Sequence, residues 1–181
     1  MSKTSAVAAK ALTSNHFELF GLVPAFALDI ARLDAAYRDI QAKVHPDWFV
    51  HAGDAERRAS MQMTTQVNEA YRTLKSPLRR AKYILELNGV DVGFETNTAM
   101  PKQFLVEQME LREQLEEAKN VDALQFLQTN LSVRKKNLEA QIAEQIDRRK
   151  NFSAASDPVR KLMFLERFSE EIDAAHERLE N

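Results

Sequence analysis

Apolar residues recur at alternating spacings of three and four along most of this chain, and this rhythm restricts it to helices. The first two long examples consist of Ile30, Leu33, Tyr37, Ile40 and Val44, and of Met63, Val67, Ala70 and Leu74. An α-helix turns once every ~3.6 residues, so this spacing gathers the apolar side chains on one face. Glycine (4) and proline (5), which interrupt helices, are scarce among the 181 residues. The sequence therefore predicts an all-α protein.

Residues that begin and end helices divide the stripes into two groups. Asp29, Asp54 and Ser76 are predicted to cap the helices of the first group, and Asn88-Gly89 to end the last of them. Two of these helices are long and are joined by a short loop, which predicts an antiparallel hairpin with short flanking helices. We expect this domain to span residues 15–87, after a small, polar and flexible tail at residues 1–14.

The second group follows residues 88–100, which lack an apolar repeat and are predicted to be a linker. Residues 101–181 hold three helical stripes and are predicted to form a three-helix bundle. The stretch from Asn120 to Asp122 is expected to separate the first two helices of the bundle. Asp157 is expected to cap the last helix, with Pro158 in its first position.

The net charge, the absence of cysteine and the length of the apolar runs limit the classes of metal site and partner that this chain can have. The formal net charge is −2 and cysteine is absent, so thiolate metal sites are excluded and a reducing, cytoplasmic compartment fits. The basic clusters at 134–136 and 148–150 are expected to be solvated helix faces, with a contact to nucleic acid or to an acidic protein surface as the alternative. No apolar run is long enough to span a bilayer. We therefore expect neither nucleic acid nor a membrane as partner.

A helix must end at His45-Pro46-Asp47, because proline lacks the backbone N–H and pushes the preceding residue out of the helical conformation. One interpretation makes His45 and Asp47 an acid–base pair for catalysis. No nucleophile, phosphate-binding loop or carboxylate cluster with metal-ligand spacing accompanies them, and the four histidines form no zinc pattern. Taken alone, the tripeptide is a proline stop between two incidental polar residues.

The surrounding segments change that interpretation. The stretches "HFELFGL", "YRDIQAKVHPDWF" and "VNEAYRTLKSPLRRAKYIL" occur in this order, and together they resemble the J domain of DnaJ-type co-chaperones. The resemblance implies that His45, Pro46 and Asp47 dock on a heat-shock chaperone ATPase and trigger ATP hydrolysis by that partner. Arg38 and Lys43, which lie outside the apolar stripe, can steer the helix toward an acidic groove of such a partner. The resemblance also implies that this chain is not itself an enzyme.

The first helix of the predicted bundle carries apolar residues on two sides. At about 100° per residue, Phe104, Leu111 and Leu115 share the face that is predicted to pack in the core. The opposite side and its flanks carry Leu105, Val106, Met109, Glu110 and Glu113. Isolated exposed apolar residues are common. The pattern alone therefore leaves open whether this side meets another helix or a partner.

The segments "FLVEQMELREQLEEA" and "DPVRKLMFLERF" are similar to the C-terminal domain of the HscB family of iron–sulfur co-chaperones. The resemblance covers nearly all of residues 15–180. It implies that the second domain holds the cluster-assembly scaffold IscU, through the five residues above and Phe164. It thus implies an adaptor between an IscU-type scaffold and an HscA-type chaperone ATPase, with no cofactor of its own. The remaining interpretations are a nucleic-acid adaptor that uses Arg134, Lys135 and Lys136, and an enzyme that uses His45 and Asp47.

Overall fold

The computed structural model describes residues 14–44, 53–92 and 102–180, and the regular structure in these ranges is helical throughout. The helices are α1 (His16–Leu19), α2 (Ile30–Val44), α3 (Asp54–Lys75), α4 (Pro77–Leu87), α5 (Lys102–Glu117), α6 (Val121–Ala143) and α7 (Phe152–Glu180), with a π-helical turn at Glu144–Arg148. The prediction of an all-α protein is confirmed. None of the described helices is long and apolar enough to cross a bilayer. The contacts divide the chain into two compact units between Ile84 and Leu85.

A capping box begins the first unit. The side chain of Asn15 accepts the Glu18 N–H, and the carboxylate of Glu18 accepts the Asn15 N–H. Tyr83 then holds α1 to α4, because its hydroxyl accepts the His16 N–H at 2.9 Å and its ring stacks on the imidazole at a centroid distance of 4.2 Å. Partial burial lowers the pKa of His16, and the carboxylate of Glu69 partly opposes this shift. The surroundings of the imidazole therefore favour its neutral form.

The helices α2 and α3 form the predicted antiparallel hairpin. Asp34, near the start of α2, pairs with Lys75 at the end of α3, whereas Val44, at the end of α2, contacts Ser60 near the start of α3. This reversed order of contacts is what an antiparallel pair requires. The buried apolar side chains of the two helices are Leu33, Val44, Met63, Val67, Ala70 and Leu74. They belong to the stripes that the sequence predicted.

Most of the predicted caps are present. Asp29 caps α2 by accepting the Arg32 N–H at 3.1 Å, and Ser76 caps α4 by accepting a backbone N–H at 3.3 Å. Gly89, with a φ of 71°, follows the end of α4. The predicted start of α3 near Asp54 is correct, but the predicted cap is wrong, because Gly53 occupies the cap position and no side chain caps this helix. Asp54 is instead the first helical residue, where a carboxylate still interacts favourably with the helix dipole.

The second unit is built on an antiparallel pair formed by α6 and α7. The amide of Gln128 donates to the hydroxyl of Ser169 at 3.1 Å, and Lys135 pairs with Glu166 at 2.9 Å. Residues further along α6 therefore meet residues nearer the start of α7. The face of α6 that is buried consists of Leu124, Leu127, Leu131, Leu138 and Ile142. The helix α5 joins this pair through Phe104, whose ring meets the ring of Phe164 edge-on at 5.6 Å.

The last helix begins earlier than predicted. It starts at Phe152, where Asn151 caps it by accepting a backbone N–H at 3.1 Å, and Pro158 therefore lies inside the helix. Asp157 caps no helix and pairs instead with Lys161 at 3.2 Å, one turn later. The prediction failed because the proline was taken as a start signal. Ala155, Ser156 and Val159, which lie close to Pro158 in the sequence, are buried, so this part of the helix packs in the core although proline donates no backbone hydrogen bond.

Replacement of Leu111 by alanine should lower the free energy of unfolding by roughly 2–5 kcal/mol, because it removes a buried side chain from the core face of α5. Leu105→Ala is the matched control, since Leu105 lies on the same helix but is exposed. It should change the free energy of unfolding by no more than about 0.5 kcal/mol. Urea unfolding followed by circular dichroism measures both variants. Equal losses in the two variants would contradict the assignment of the two faces.

Candidate functional site

Two surfaces, one in each unit, carry the residues that the sequence singled out. The first lies at the end of the α2–α3 hairpin. The predicted chaperone-binding residues His45, Pro46 and Asp47 lie outside the described residues, so their role remains a prediction. The structure describes the two helices that precede and follow this tripeptide in the chain, up to Val44 and from Gly53 onward.

A row of polar contacts fixes the middle of this hairpin. The rings of Tyr37 and Tyr71 stack at a centroid distance of 4.0 Å, and the Tyr37 hydroxyl donates to Asn68 at 2.9 Å. The carboxylate of Asp34 accepts hydrogen bonds from Lys75 at 3.0 Å and from Tyr71 at 2.9 Å. These two bonds lower the pKa of Asp34, and the bonds that Lys75 makes to Tyr71 and Asp34 raise the pKa of Lys75. Both groups therefore stay charged, and the two helices are held in one register.

Arg38 and Lys43 are exposed on α2, as a steering role requires. Neither side chain forms an ion pair with another residue in the described ranges. The charge of Arg38 does contribute to lowering the pKa of Asp34. The two cations therefore remain available to a negatively charged surface. Their contact with a chaperone remains a prediction.

The second surface is the outward side of α5. We call Leu105, Val106, Met109, Glu110 and Glu113 the α5 patch. The three apolar members are 46%, 53% and 72% exposed in that order, and both glutamates are exposed. Phe104 and Leu111, on the opposite side of the same helix, are buried in the core. The predicted division of α5 into an inward and an outward apolar face is therefore correct.

Phe164 does not belong to the exposed part of this surface, although the sequence placed it among the scaffold-binding residues. It is 7% exposed, and its ring stacks on Phe168 at 5.9 Å and meets Phe104 edge-on. The expectation of a surface contact is corrected because this side chain lies behind α5, between α5 and the rest of α7. Phe164 supports the position of α5 and presents little area to a partner.

Two cations behind the α5 patch were not identified from the sequence. The guanidinium of Arg112 lies 5.9 Å from the ring centre of Phe164, and the ammonium of Lys161 lies 5.6 Å from that of Phe104. Both cations help to fix the aromatic cluster on which α5 rests. No spacing in the sequence could have identified these contacts, because they join α5 to α7 and depend on which helices meet.

Half of the six cations in the basic clusters of the second unit form ion pairs within it. Lys135 pairs with Glu166, and its side chain is only 18% exposed. Arg148 and Arg149 both pair with Glu144, at 3.3 and 3.0 Å. These contacts reduce the positive charge available to nucleic acid. They favour the interpretation as an ordinary helix face over the nucleic-acid adaptor. Within the ranges that the structure describes, no group of acidic residues and histidines is arranged to hold a metal ion.

Comparison with known proteins identifies the family. A family model described as the HSCB C-terminal oligomerisation domain matches residues 100–173. A co-chaperone protein HscB homolog of Paraburkholderia phymatum is 51% identical over 173 residues, which cover 94% of this chain and 98% of the relative. The chain belongs to the HscB family of co-chaperones. The predicted resemblance is thus confirmed.

Solved structures agree with this assignment. The chaperone HscB from Vibrio cholerae has 38% sequence identity and a TM-score of 0.81, with 92% of this chain and 99% of that chain covered. The human co-chaperone protein HscB has 30% identity and a TM-score of 0.87, with 91% and 83% covered. Membership of the HscB family gives this protein a co-chaperone role in iron–sulfur cluster maturation, with a chaperone and a scaffold as its general kinds of partner.

Proposed function

We propose that this co-chaperone binds an IscU-type scaffold through the α5 patch and stimulates the ATPase of an HscA-type chaperone through its first domain. The single observation that carries the proposal is the two-sided character of α5. Its inward face already anchors it to the bundle, and its outward face still presents Leu105, Val106 and Met109. An exposed apolar group with polar residues at its rim is typical of a protein-binding surface.

On the scaffold side, the apolar members of the α5 patch would be buried and the two carboxylates would orient the partner. Met109 is the most exposed of the three at 72%, and it stands between Val106 and Glu113 on the helix surface. Its flexible thioether side chain adapts to the shape of a partner. Burial of these side chains supplies affinity. Glu110 and Glu113 supply charge complementarity toward a basic scaffold surface.

On the chaperone side, we assign the contact to His45, Pro46 and Asp47 within a J domain at residues 15–87. Pro46 restricts the backbone, which reduces the conformational entropy lost on docking. Asp47 can accept a bidentate pair from a partner arginine, and His45 can donate a hydrogen bond. Arg38 and Lys43, both exposed, would accelerate the encounter with an acidic groove.

The two contacts together define how the protein acts. A chain that holds the scaffold with one domain and the chaperone with another raises the effective concentration of scaffold near the chaperone. The domain boundaries that we assign are residues 15–87 and 101–181, joined by a linker at residues 88–100. This activity needs no covalent chemistry in the chain itself and no cofactor. We assign it to the cytoplasm, where ATP is available to the partner chaperone.

The α5 patch predicts a specific loss of scaffold affinity. Val106→Ala together with Met109→Ala should weaken binding of an IscU-type scaffold by roughly tenfold or more, because truncation of central apolar contacts commonly costs over 1 kcal/mol each. Isothermal titration calorimetry gives the dissociation constant. The stimulation of the chaperone ATPase in the absence of scaffold should remain at the wild-type level.

The matched control for that variant is Phe126→Ala together with Val133→Ala. These side chains are 67% and 55% exposed on α6, so the control also removes exposed apolar area from the second unit. It should bind the scaffold with wild-type affinity. An unchanged affinity of the α5 variant, or an equal loss in both variants, would count against the α5 patch as the scaffold site.

For the His-Pro-Asp motif we predict a loss of chaperone stimulation without a loss of scaffold affinity. His45→Ala or Asp47→Ala should abolish stimulation of an HscA-type ATPase, because each removes a polar contact at the docking point. Scaffold affinity, measured on the same samples, should stay unchanged and serves as the control for folding of the second domain. Steady-state ATP hydrolysis by the chaperone provides the measurement. Stimulation at the wild-type level by both variants would refute this part of the proposal, as would appreciable ATP hydrolysis by this chain alone.

A further inference from the structure

Two hydroxyl groups of α3 bind one backbone carbonyl at the end of α2. The Ser60 hydroxyl donates to the carbonyl oxygen of Val44 at 2.8 Å, and the Thr64 hydroxyl donates to the same oxygen at 3.2 Å. Ser60 is 6% exposed and Val44 is 2% exposed, so their hydrogen bond is shielded from water, whereas Thr64 is half-buried. We call these three residues the Val44 clamp. They all belong to the first unit.

These two hydrogen bonds satisfy a carbonyl group at the C-terminal end of a helix. The last four carbonyls of an α-helix have no partner within the helix, and a buried carbonyl without a partner is costly. Many helices satisfy these groups with backbone N–H groups that follow, often through a glycine. Here Pro46 disfavours the helical conformation of the residue before it and so works against a further turn of α2, whose backbone N–H would otherwise serve the Val44 carbonyl. The neighbouring helix supplies donors for the Val44 carbonyl from its side chains.

The geometry distinguishes these two hydroxyls from others on α3. Ser60 and Thr64 are four residues apart, so they lie on the same face of the helix, the one turned toward α2. Thr65, one residue further, donates to the carbonyl of Met61 at 3.0 Å within α3 itself. That bond joins nothing to α2. Only the first two hydroxyls therefore couple the position of the Val44 carbonyl to α3.

We propose that Ser60 and Thr64 are positioning residues for chaperone stimulation. They fix the carbonyl of the residue that directly precedes His45, and with it the point from which the His-Pro-Asp segment leaves α2. The row of contacts around Tyr37 and Tyr71 fixes the middle of the hairpin, and the Val44 clamp fixes its end. This inference rests on the proposed stimulation of an HscA-type ATPase. It adds a role for two residues that belong to no motif.

The test uses three full-length variants. Ser60→Ala with Thr64→Val removes both hydroxyls and preserves the approximate shapes of the side chains. Thr64→Ser is the conservative variant, because both donors to Val44 remain. Thr65→Val is the matched control, because it removes a hydroxyl from the same helix without reaching α2. Each variant is assayed for maximal chaperone ATPase stimulation, at a temperature where circular dichroism shows native helicity.

The double variant should lose roughly threefold to tenfold in maximal stimulation, the range expected when hydrogen bonds of about 0.5–1.5 kcal/mol no longer hold the docking segment. Thr64→Ser and Thr65→Val should retain wild-type stimulation. The ¹³C shift of the Val44 carbonyl should move in the double variant alone, which reports the clamp independently of activity. Scaffold affinity should be unchanged in all three variants, because the α5 patch lies in the other unit.

Wild-type stimulation by the double variant would overturn the proposal, and so would an equal loss in Thr65→Val. A Val44 carbonyl shift that stays the same in the double variant would overturn it as well, because the clamp would then be absent. A different result is expected if this protein does not stimulate an HscA-type ATPase at all. In that case the unmodified protein would stimulate the chaperone no more than His45→Ala does.

Discussion

A helix on the surface of a bundle can bury only one of its faces, and α5 has apolar residues on two. Phe104 and Leu111 anchor its inward face, where the rings of Phe104 and Phe164 meet at 5.6 Å. Once this face is buried, Val106 and Met109 must point away from the bundle. The cost of exposing them is recovered only when a partner covers them. The aromatic cluster that holds α5 therefore also determines which residues form the α5 patch.

The first unit has a different task and is built differently. Its hairpin is held by polar contacts as well as by an apolar stripe, from the Asp34–Lys75 pair through the stacked tyrosines to the Val44 clamp. Hydrogen bonds are directional, so they fix register more strictly than apolar packing does. A segment that must meet a chaperone in one orientation benefits from such a frame. In the proposed function, stiffness in the first unit serves the chaperone contact and exposed apolar area in the second serves the scaffold contact.

Much of this architecture follows from local rules in the sequence. The stripes of α2 and α3, the caps at Asp29 and Ser76, and the two faces of α5 were all predictable. Each depends on residues close together in the chain. The prediction for Pro158 failed because the packing around a proline is not local. The burial of Phe164 could not be predicted for the same reason, since it depends on how α5 lies against α7. The family resemblance was carried by motifs, yet the roles of His45, Pro46 and Asp47 remain predictions, because they lie outside the described residues.

The central claim is that one chain must hold the scaffold and the chaperone at the same time. A complementation assay tests this directly, with scaffold and chaperone held at limiting concentrations. One sample contains the wild-type protein. The other contains an equimolar mixture of the His45→Ala variant, which keeps the α5 patch, and the Val106→Ala, Met109→Ala variant, which keeps the motif. We predict that only the wild-type protein produces the full scaffold-dependent acceleration of ATP hydrolysis, since no molecule in the mixture joins both partners. Equal acceleration by the mixture would contradict the claim.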